Sequence, residues 1–196
     1  MGRPSVPLAE ALLGFLMQSP LHGYDLHRRV EEELGYVWHL TIGNVYNTLR
    51  RLEVEGQVTS EVQVQTDRPS RKVYRITPLG RARFLAWVRQ PVRALRDMRT
   101  EFPVKLYFFR LLDLEGMDDL LEAQEAAFRE HLARLRQGAS HHPPSPLNRL
   151  VFEFRRSQIE AALRWLKTCR EEWTGEPSAG PEEGEKTAGG KQEGDR

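Results

Sequence analysis

The fold of this protein is decided by the stretch NVYNTLRRLEVEGQV, residues 44–58. Apolar residues in and just before it recur at steps of three and four: Ile42, Val45, Leu49 and Leu52. This spacing predicts a helix over residues 42–55 with one buried face. Thr41 is a suitable N-cap, and Gly56 is expected to end the helix. The opposite face carries side chains that can make directed hydrogen bonds: Asn44, Asn47, Thr48 and Arg51.

The segments on either side of this helix predict its architectural context. Two amphipathic helices are predicted before it, over residues 8–18 and 22–34. After Gly56 the period changes to two, with alternating valines up to Val64, a turn at TDRPSR, and the β-branched run KVYRIT. This pattern indicates a two-stranded hairpin with a basic tip. Three helices followed by a hairpin form the winged helix-turn-helix order, in which the third helix enters a major groove of DNA.

Charge is distributed unevenly along the chain. The 196 residues carry a formal net charge of only +1. Between Arg68 and Arg83, however, every charged residue is basic, whereas the tail from Gly175 is mainly acidic. The predicted hairpin therefore carries the positive charge that a phosphate backbone would attract.

The remainder of the chain predicts a second, helical part. Helices are expected from Leu79 onward and over residues 117–137 and 147–173, the last with one apolar face: Leu147, Val151, Phe154, Ala162, Trp165 and Cys169. The tail is rich in Gly, Glu, Pro and Ser and is expected to be disordered. The sequence thus predicts a mainly α protein with a small two-stranded β wing. Its parts are a winged helix-turn-helix domain (1–78), a helical dimerisation and effector domain (79–174) and an acidic tail (175–196).

Four segments resemble the PadR family of transcriptional regulators in order and spacing: LHGYDLHRRVEEELG, GNVYNTLRRLEVEGQV, RKVYRITPLGRARFLAWV and EFPVKLYFF. The resemblance implies a dimeric cytoplasmic regulator from a bacterium or archaeon, usually a repressor. In that family the C-terminal helices form the dimer, and a small molecule, often phenolic, relieves repression. Tyr46 matches the tyrosine of the family's recognition helix. Asn47 departs from the proline that commonly follows it, so the operator sequence cannot be transferred.

The candidate DNA-contacting residues lie on the third helix and the hairpin: Thr41, Asn44, Tyr46, Asn47, Thr48, Arg50, Arg51, Arg68, Arg71 and Lys72. Asparagine pairs well with adenine and arginine with guanine in the major groove. The three cations of the hairpin are expected to neutralise phosphates, because the stretch from Arg68 to Arg83 contains no acid to pair with them.

A second candidate group consists of aromatic residues after the hairpin: Trp87, Phe102, Tyr107, Phe108, Phe109 and Trp165. Such side chains can line a pocket for a small aromatic or phenolic effector. They can also form the core of a dimer, and this interpretation is favoured over an effector pocket. The two are compatible if the pocket lies at the interface.

Other classes of function find little support in the sequence. It contains no catalytic motif, no metal-ligand spacing and no cofactor-binding loop. Its single cysteine, Cys169, excludes an intrachain disulfide. No apolar run is long enough to span a membrane, so a cytoplasmic protein is expected. Two alternatives stay open: a winged-helix module that binds a protein partner without sequence-specific DNA binding, and an activator or ligand-independent regulator in place of an inducible repressor.

Overall fold

The computed structural model describes residues 7–63, 71–140 and 145–174. The helices in these segments are α1 (Leu8–Leu16), α2 (Gly23–Leu34), α3 (Ile42–Val54), α4 (Pro78–Val88), α5 (Phe102–Leu111), α6 (Met117–Ser140) and α7 (Pro146–Thr174). The strands are β1 (Leu21–His22), β2 (Val58–Gln63) and β3 (Arg71–Ile76), and one 3-10 helix spans Leu95–Met98. The acidic tail lies outside the described residues.

Helix α1 forms the centre of the core. All of its residues except Glu10 are buried, which corrects the prediction of an amphipathic helix with a single buried face. The ring of Phe15 in α1 lies 5.2 Å from that of Phe108 in α5, and Phe84 of α4 approaches the same Phe108 ring at 5.4 Å; both contacts are edge-to-face. A side chain from the second half of the chain therefore completes the core of the first half.

The predicted wing is confirmed as an antiparallel pair of strands, and a third strand extends it. Strands β2 and β3 pair with Ser60 opposite Tyr74. Strand β1 pairs with the other edge of β3, with Leu21 opposite Tyr74, so the sheet has the order β1-β3-β2. The two residues of β1 are too few for an alternating pattern, which is why the sequence did not reveal them.

Helix α3 begins and ends close to the predicted residues. Thr41 forms a capping box with Asn44, since each side chain bonds to the other residue's backbone N–H. Gly56 follows the helix with φ 69°, the left-handed conformation that glycine adopts without strain. Ile42 was predicted to be buried and is 41% exposed. It occupies the first turn, where the side chain tilts toward the helix N-terminus and past the packed surface.

Two buried polar side chains hold the segment that connects α4 to the C-terminal helices. The Lys105 ammonium donates to the backbone oxygens of Trp87 (2.9 Å) and Gln90 (2.7 Å) and lies 2.9 Å from the Glu101 carboxylate. The Gln124 side chain accepts from the N–H of Val92 (2.6 Å) and donates to its carbonyl (3.1 Å). Burial lowers the pKa of Lys105. Four backbone groups, one in the last turn of α4 and three in the connection, are thus bonded by residues of α5 and α6.

Helices α6 and α7 pack against each other, with Ile159 and Leu166 of α7 fully buried. The predicted apolar face of α7 is only partly inward, which corrects the expectation from the sequence. Leu147, Val151 and Phe154 are exposed, Phe154 to 64%. At about 100° per residue they lie roughly a quarter-turn from the face that contacts α6, so the N-terminal half of α7 carries a second apolar stripe.

Candidate nucleic-acid interface

Helix α3 presents a row of residues directly opposite its buried face. Val45, Leu49 and Leu52 are fully buried against the domain core. About half a turn away, at spacings of four, three and four, the exposed residues form what we call the outer row: Gly43, Asn47, Arg50 and Val54. The amide and guanidinium groups of Asn47 and Arg50 are the kind that reach base edges in a major groove.

The other predicted residues of α3 lie beside the outer row and differ in their freedom to contact a partner. Arg51 is exposed and lies 3.8 Å from the Glu55 carboxylate, whereas Thr48 is half-buried. The side-chain oxygen of Asn44 accepts from the backbone N–H (3.0 Å) and hydroxyl (2.8 Å) of Thr41. Thr41 and Asn44 therefore fix the start of α3, and the Asn44 NH₂ group is the part that can face a partner.

Tyr46 packs on the helix before it and is still 41% exposed. A Cβ atom at Gly23 would lie 2.6 Å from its ring, so the absence of a side chain at Gly23 makes room for Tyr46. The Tyr46 ring consequently lies between α3 and the start of α2, and the exposed part of the ring can contact a partner.

The wing carries an ion pair that the sequence analysis missed. Lys72 was expected to have no acidic neighbour, but its ammonium lies 2.7 Å from the carboxylate of Glu53 on α3. Glu53 also accepts a hydrogen bond of 2.5 Å from Ser60 of β2. The bonds from Lys72 and Ser60 lower the pKa of Glu53, and the bond to Glu53 raises the pKa of Lys72. Lys72 is thus attached to α3 rather than free, which corrects the prediction.

The other basic residues of this region divide into structural and exposed groups. The guanidinium of Arg83 lies 2.6 Å from Glu10 and 3.1 Å from Glu55, so it joins α4 to α1 and α3. Arg75 is exposed on β3 and makes no ion pair with a described residue. The backbone of Arg71 on β3 pairs with that of Gln63 on β2, and its side chain is not among the side chains that the structure describes. Arg68 lies outside the described residues altogether.

The aromatic group does not form one surface. Phe102, Phe108 and Phe109 are at most 1% exposed within the single chain, so they need no partner subunit to be buried, which corrects the dimer-core interpretation for these three. The indole N–H of Trp87 donates to Glu101 at 2.9 Å. Only Tyr107 and Trp165 reach a cavity, which has a volume of about 470 Å³.

That cavity lies between α5 and α7 and is largely apolar. Its remaining lining residues are Pro103, Leu106, Arg110, Leu111 and Trp173. The hydroxyl of Tyr107 is buried and has no hydrogen-bond partner among the described residues. The cavity thus combines aromatic walls with one guanidinium, a lining suited to a small planar ligand.

Other kinds of site find no support in the part of the chain that the structure describes. No group of three or more His, Cys, Asp or Glu residues there is arranged to hold a metal ion. Burial raises the pKa of the Cys169 thiol to about 11, so the thiol is unreactive at neutral pH. No helix in residues 7–63, 71–140 and 145–174 has both the length and the apolar character to cross a bilayer.

Comparison with known proteins relates both halves of the chain to described families. Residues 12–86 match the model of the transcriptional regulator PadR-like family, and residues 98–174 match the virulence activator alpha C-terminal family. The chain is 30% identical to the negative transcriptional regulator PadR of Bacillus subtilis, over 60% of this chain and 64% of that protein. It is 36% identical to the probable transcriptional regulator Rv1176c of Mycobacterium tuberculosis, over 47% of this chain and 49% of that protein.

Among solved structures, B. subtilis PadR in complex with operator DNA aligns with a TM-score of 0.45 and 25% identity, covering 85% of this chain and 98% of that one. Of the two curated relatives named above, by contrast, the chain spans only about half to two thirds of the length.

The three-helix unit, the antiparallel sheet and the outer row define a protein of the winged helix-turn-helix class. More narrowly, the chain belongs to the PadR-like family of transcriptional regulators, which confirms the resemblance read from its sequence.

Proposed function

We propose that this protein is a dimeric repressor that binds a pseudo-palindromic DNA operator. The observation that carries the proposal is the outer row of α3, in which Asn47 and Arg50 project opposite a fully buried face. A helix that is anchored on one side and polar on the other fits the major groove, while the wing follows the adjacent backbone. Chromosomal DNA as the partner requires that the protein act in the cytoplasm.

We infer that the exposed stripe of α7 packs against a second copy of the chain. This stripe is formed by Leu147, Leu150, Val151 and Phe154. The stripe is continuous along two helical turns, which is the pattern of a helix that packs on another helix. In this arrangement residues 79–174 are the dimerisation part and residues 1–78 the DNA-binding part. Two-fold symmetry then requires half-sites about one helical turn, roughly 34–36 Å, or a multiple apart.

The cavity beside Tyr107 is our candidate for the effector site. Trp165 and Trp173 provide apolar walls, while the Arg110 guanidinium can bind an acidic or phenolic group. A small aromatic acid bound between α5 and α7 would change how these helices pack. It would relieve repression by favouring a separation of the two α3 helices that no longer matches the operator.

Selection from a randomised duplex library at two salt concentrations tests the proposal. Enrichment of a pseudo-palindrome is expected, and Asn47→Ala or Arg50→Ala should lose about 1–3 kcal/mol of preference for it without dissociating the dimer. Arg129→Ala is the matched control, because Arg129 is an exposed arginine on α6, distant in sequence from α3. If no sequence is enriched and retention is weak at low salt, the outer row serves a protein partner instead and the proposal is wrong.

A further inference from the structure

Most glycines of the described helices and turns have a reason that lies inside the chain. A Cβ atom at Gly14 would come 2.5 Å from the Phe108 ring, and one at Gly23 would come 2.6 Å from Tyr46. Both distances are too short for real carbon atoms, so a larger residue would disrupt the packing. Gly56 and Gly116 have positive φ, which other residues adopt only with strain. These glycines are explained by the fold itself.

Gly43 has no such reason. It is the second residue of α3, it does not have positive φ, and the nearest atom to a Cβ placed there is the Thr41 hydroxyl oxygen at 3.7 Å. That distance is an ordinary van der Waals contact, so alanine fits the space without any rearrangement. Glycine also destabilises a helix relative to alanine, because it loses more backbone freedom on folding. The chain alone would therefore be more stable with alanine at this position.

The location of Gly43 supplies the missing reason. It lies on the outer row, one turn before Asn47 and two turns before Arg50, in the N-terminal part of α3. In helix-turn-helix proteins this part of the recognition helix approaches the base edges most closely. Without a side chain at Gly43, the α3 backbone itself can meet the DNA surface.

We propose that Gly43 is a positioning residue whose missing side chain lets the first turn of α3 approach the DNA closely enough for Asn47 and Arg50 to reach the base edges. The inference rests on the proposed function, since it requires that α3 enter the groove. It adds that the depth of entry is set by the backbone at one position. Any side chain there holds the whole outer row away from the bases.

The test compares Gly43→Ala and Gly43→Leu with the wild type in two measurements. The first is thermal unfolding, and the second is the affinity for the duplex that the wild-type protein selects, with a scrambled duplex alongside. For Gly43→Ala we expect Tm to rise by about 1–3 °C and the affinity for the selected duplex to fall at least tenfold. Gly43→Leu should lose more affinity than Gly43→Ala, and the scrambled duplex should be affected less than the selected one in both variants.

Gly138→Ala is the matched control, because a Cβ atom at this α6 glycine meets nothing within 4 Å. It should raise Tm by a similar amount and leave the affinity unchanged, once light scattering has shown that the molar mass is that of the wild type. Wild-type affinity in Gly43→Ala would overturn the inference while leaving DNA binding intact. A fall in both Tm and affinity would also overturn it, because the glycine would then have an internal role. A wild-type protein that selects no duplex would instead defeat the proposed function.

Discussion

The ion pair between α3 and the wing leads to a prediction about the salt dependence of DNA binding. Lys72 projects from the strand expected to lie on the DNA backbone, but its ammonium is bound 2.7 Å from the carboxylate of Glu53. To contact a phosphate, the lysine must leave this carboxylate or bring it close to another anion. Glu53→Gln removes the negative charge and keeps the size of the side chain. We therefore expect the variant to bind DNA more tightly than the wild type.

The size of the effect follows from counting charges. Each phosphate contact contributes about 0.9 to the slope of log affinity against log salt, so one released lysine per subunit steepens the slope of a dimer by about 1.8. Over a fourfold change in salt this corresponds to about tenfold in affinity. The cost in folding stability should be small, about 0.2–1 kcal/mol, because the side chains of Lys72 and Glu53 are 41% and 31% exposed.

The stability difference should also depend on pH with a definite sign. Because Lys72 and Ser60 lower the pKa of Glu53 in the folded state, the carboxylate stabilises the wild type above its ordinary pKa of 4.5. This contribution is lost as the pH falls through the lower, folded value. Urea unfolding should therefore separate wild type from Glu53→Gln at pH 7 and bring their stabilities together in acid.

Fluorescence anisotropy with a labelled duplex, titrated at 50 and 200 mM salt, measures the binding effect. Glu130→Gln is the control, because Glu130 makes a comparable exposed ion pair with Arg134 on α6. A slope in Glu53→Gln equal to that of the wild type would refute the reasoning. Lys72 would then lie away from the phosphates in the complex, and the wing would meet the DNA through other residues.

Three further outcomes are expected. Lys105→Met should lower the free energy of unfolding by about 2–3 kcal/mol in urea titrations, because it leaves the Trp87 and Gln90 carbonyls without their buried donor; a loss below 0.5 kcal/mol would contradict this. Iodoacetamide at pH 8 should alkylate Cys169 about 100-fold more slowly in the folded than in the unfolded protein, since burial raises the thiol pKa to about 11; equal rates would show an accessible thiolate. Phe154→Glu should convert the dimer to a monomer in light scattering, since it puts a charge into the α7 stripe; an unchanged mass would exclude the stripe from the interface.

The sequence predicted helices and the hairpin well, since both depend on local periodicity. Val45, Leu49 and Leu52 repeat at helical spacing and are all fully buried, and Thr41 caps the helix that they define. Ile42 continues the same spacing and is nevertheless exposed. Periodicity identifies a face but not how far along the helix its packing partners extend, so the first turn was wrongly assigned to the core.

The Lys72–Glu53 contact could not be predicted, because it depends on the placement of a strand against a helix. The two residues are 19 positions apart, and neither one's local pattern indicates the other. The burial of Phe108 could not be predicted from the sequence for the same reason. The aromatic run after the wing suggested a subunit interface. In the structure the Phe108 ring instead packs edge-to-face on Phe15 of α1 and on Phe84 of α4, and these contacts join residues far apart in the sequence.

The Phe15–Phe108–Phe84 cluster limits how this regulator can be recombined with others. A chimaera cut at residue 78 would keep Phe15 but lose Phe108, whose ring packs on it, and Phe84, which packs on Phe108, leaving α1 with an apolar surface open to water. Aggregation would follow before any operator could be tested. A graft that carries α5 as well, up to residue 112, takes the missing rings with it. For exchange between regulators, the smallest transferable unit is therefore the winged helix together with α4 and α5 of its nominal partner domain.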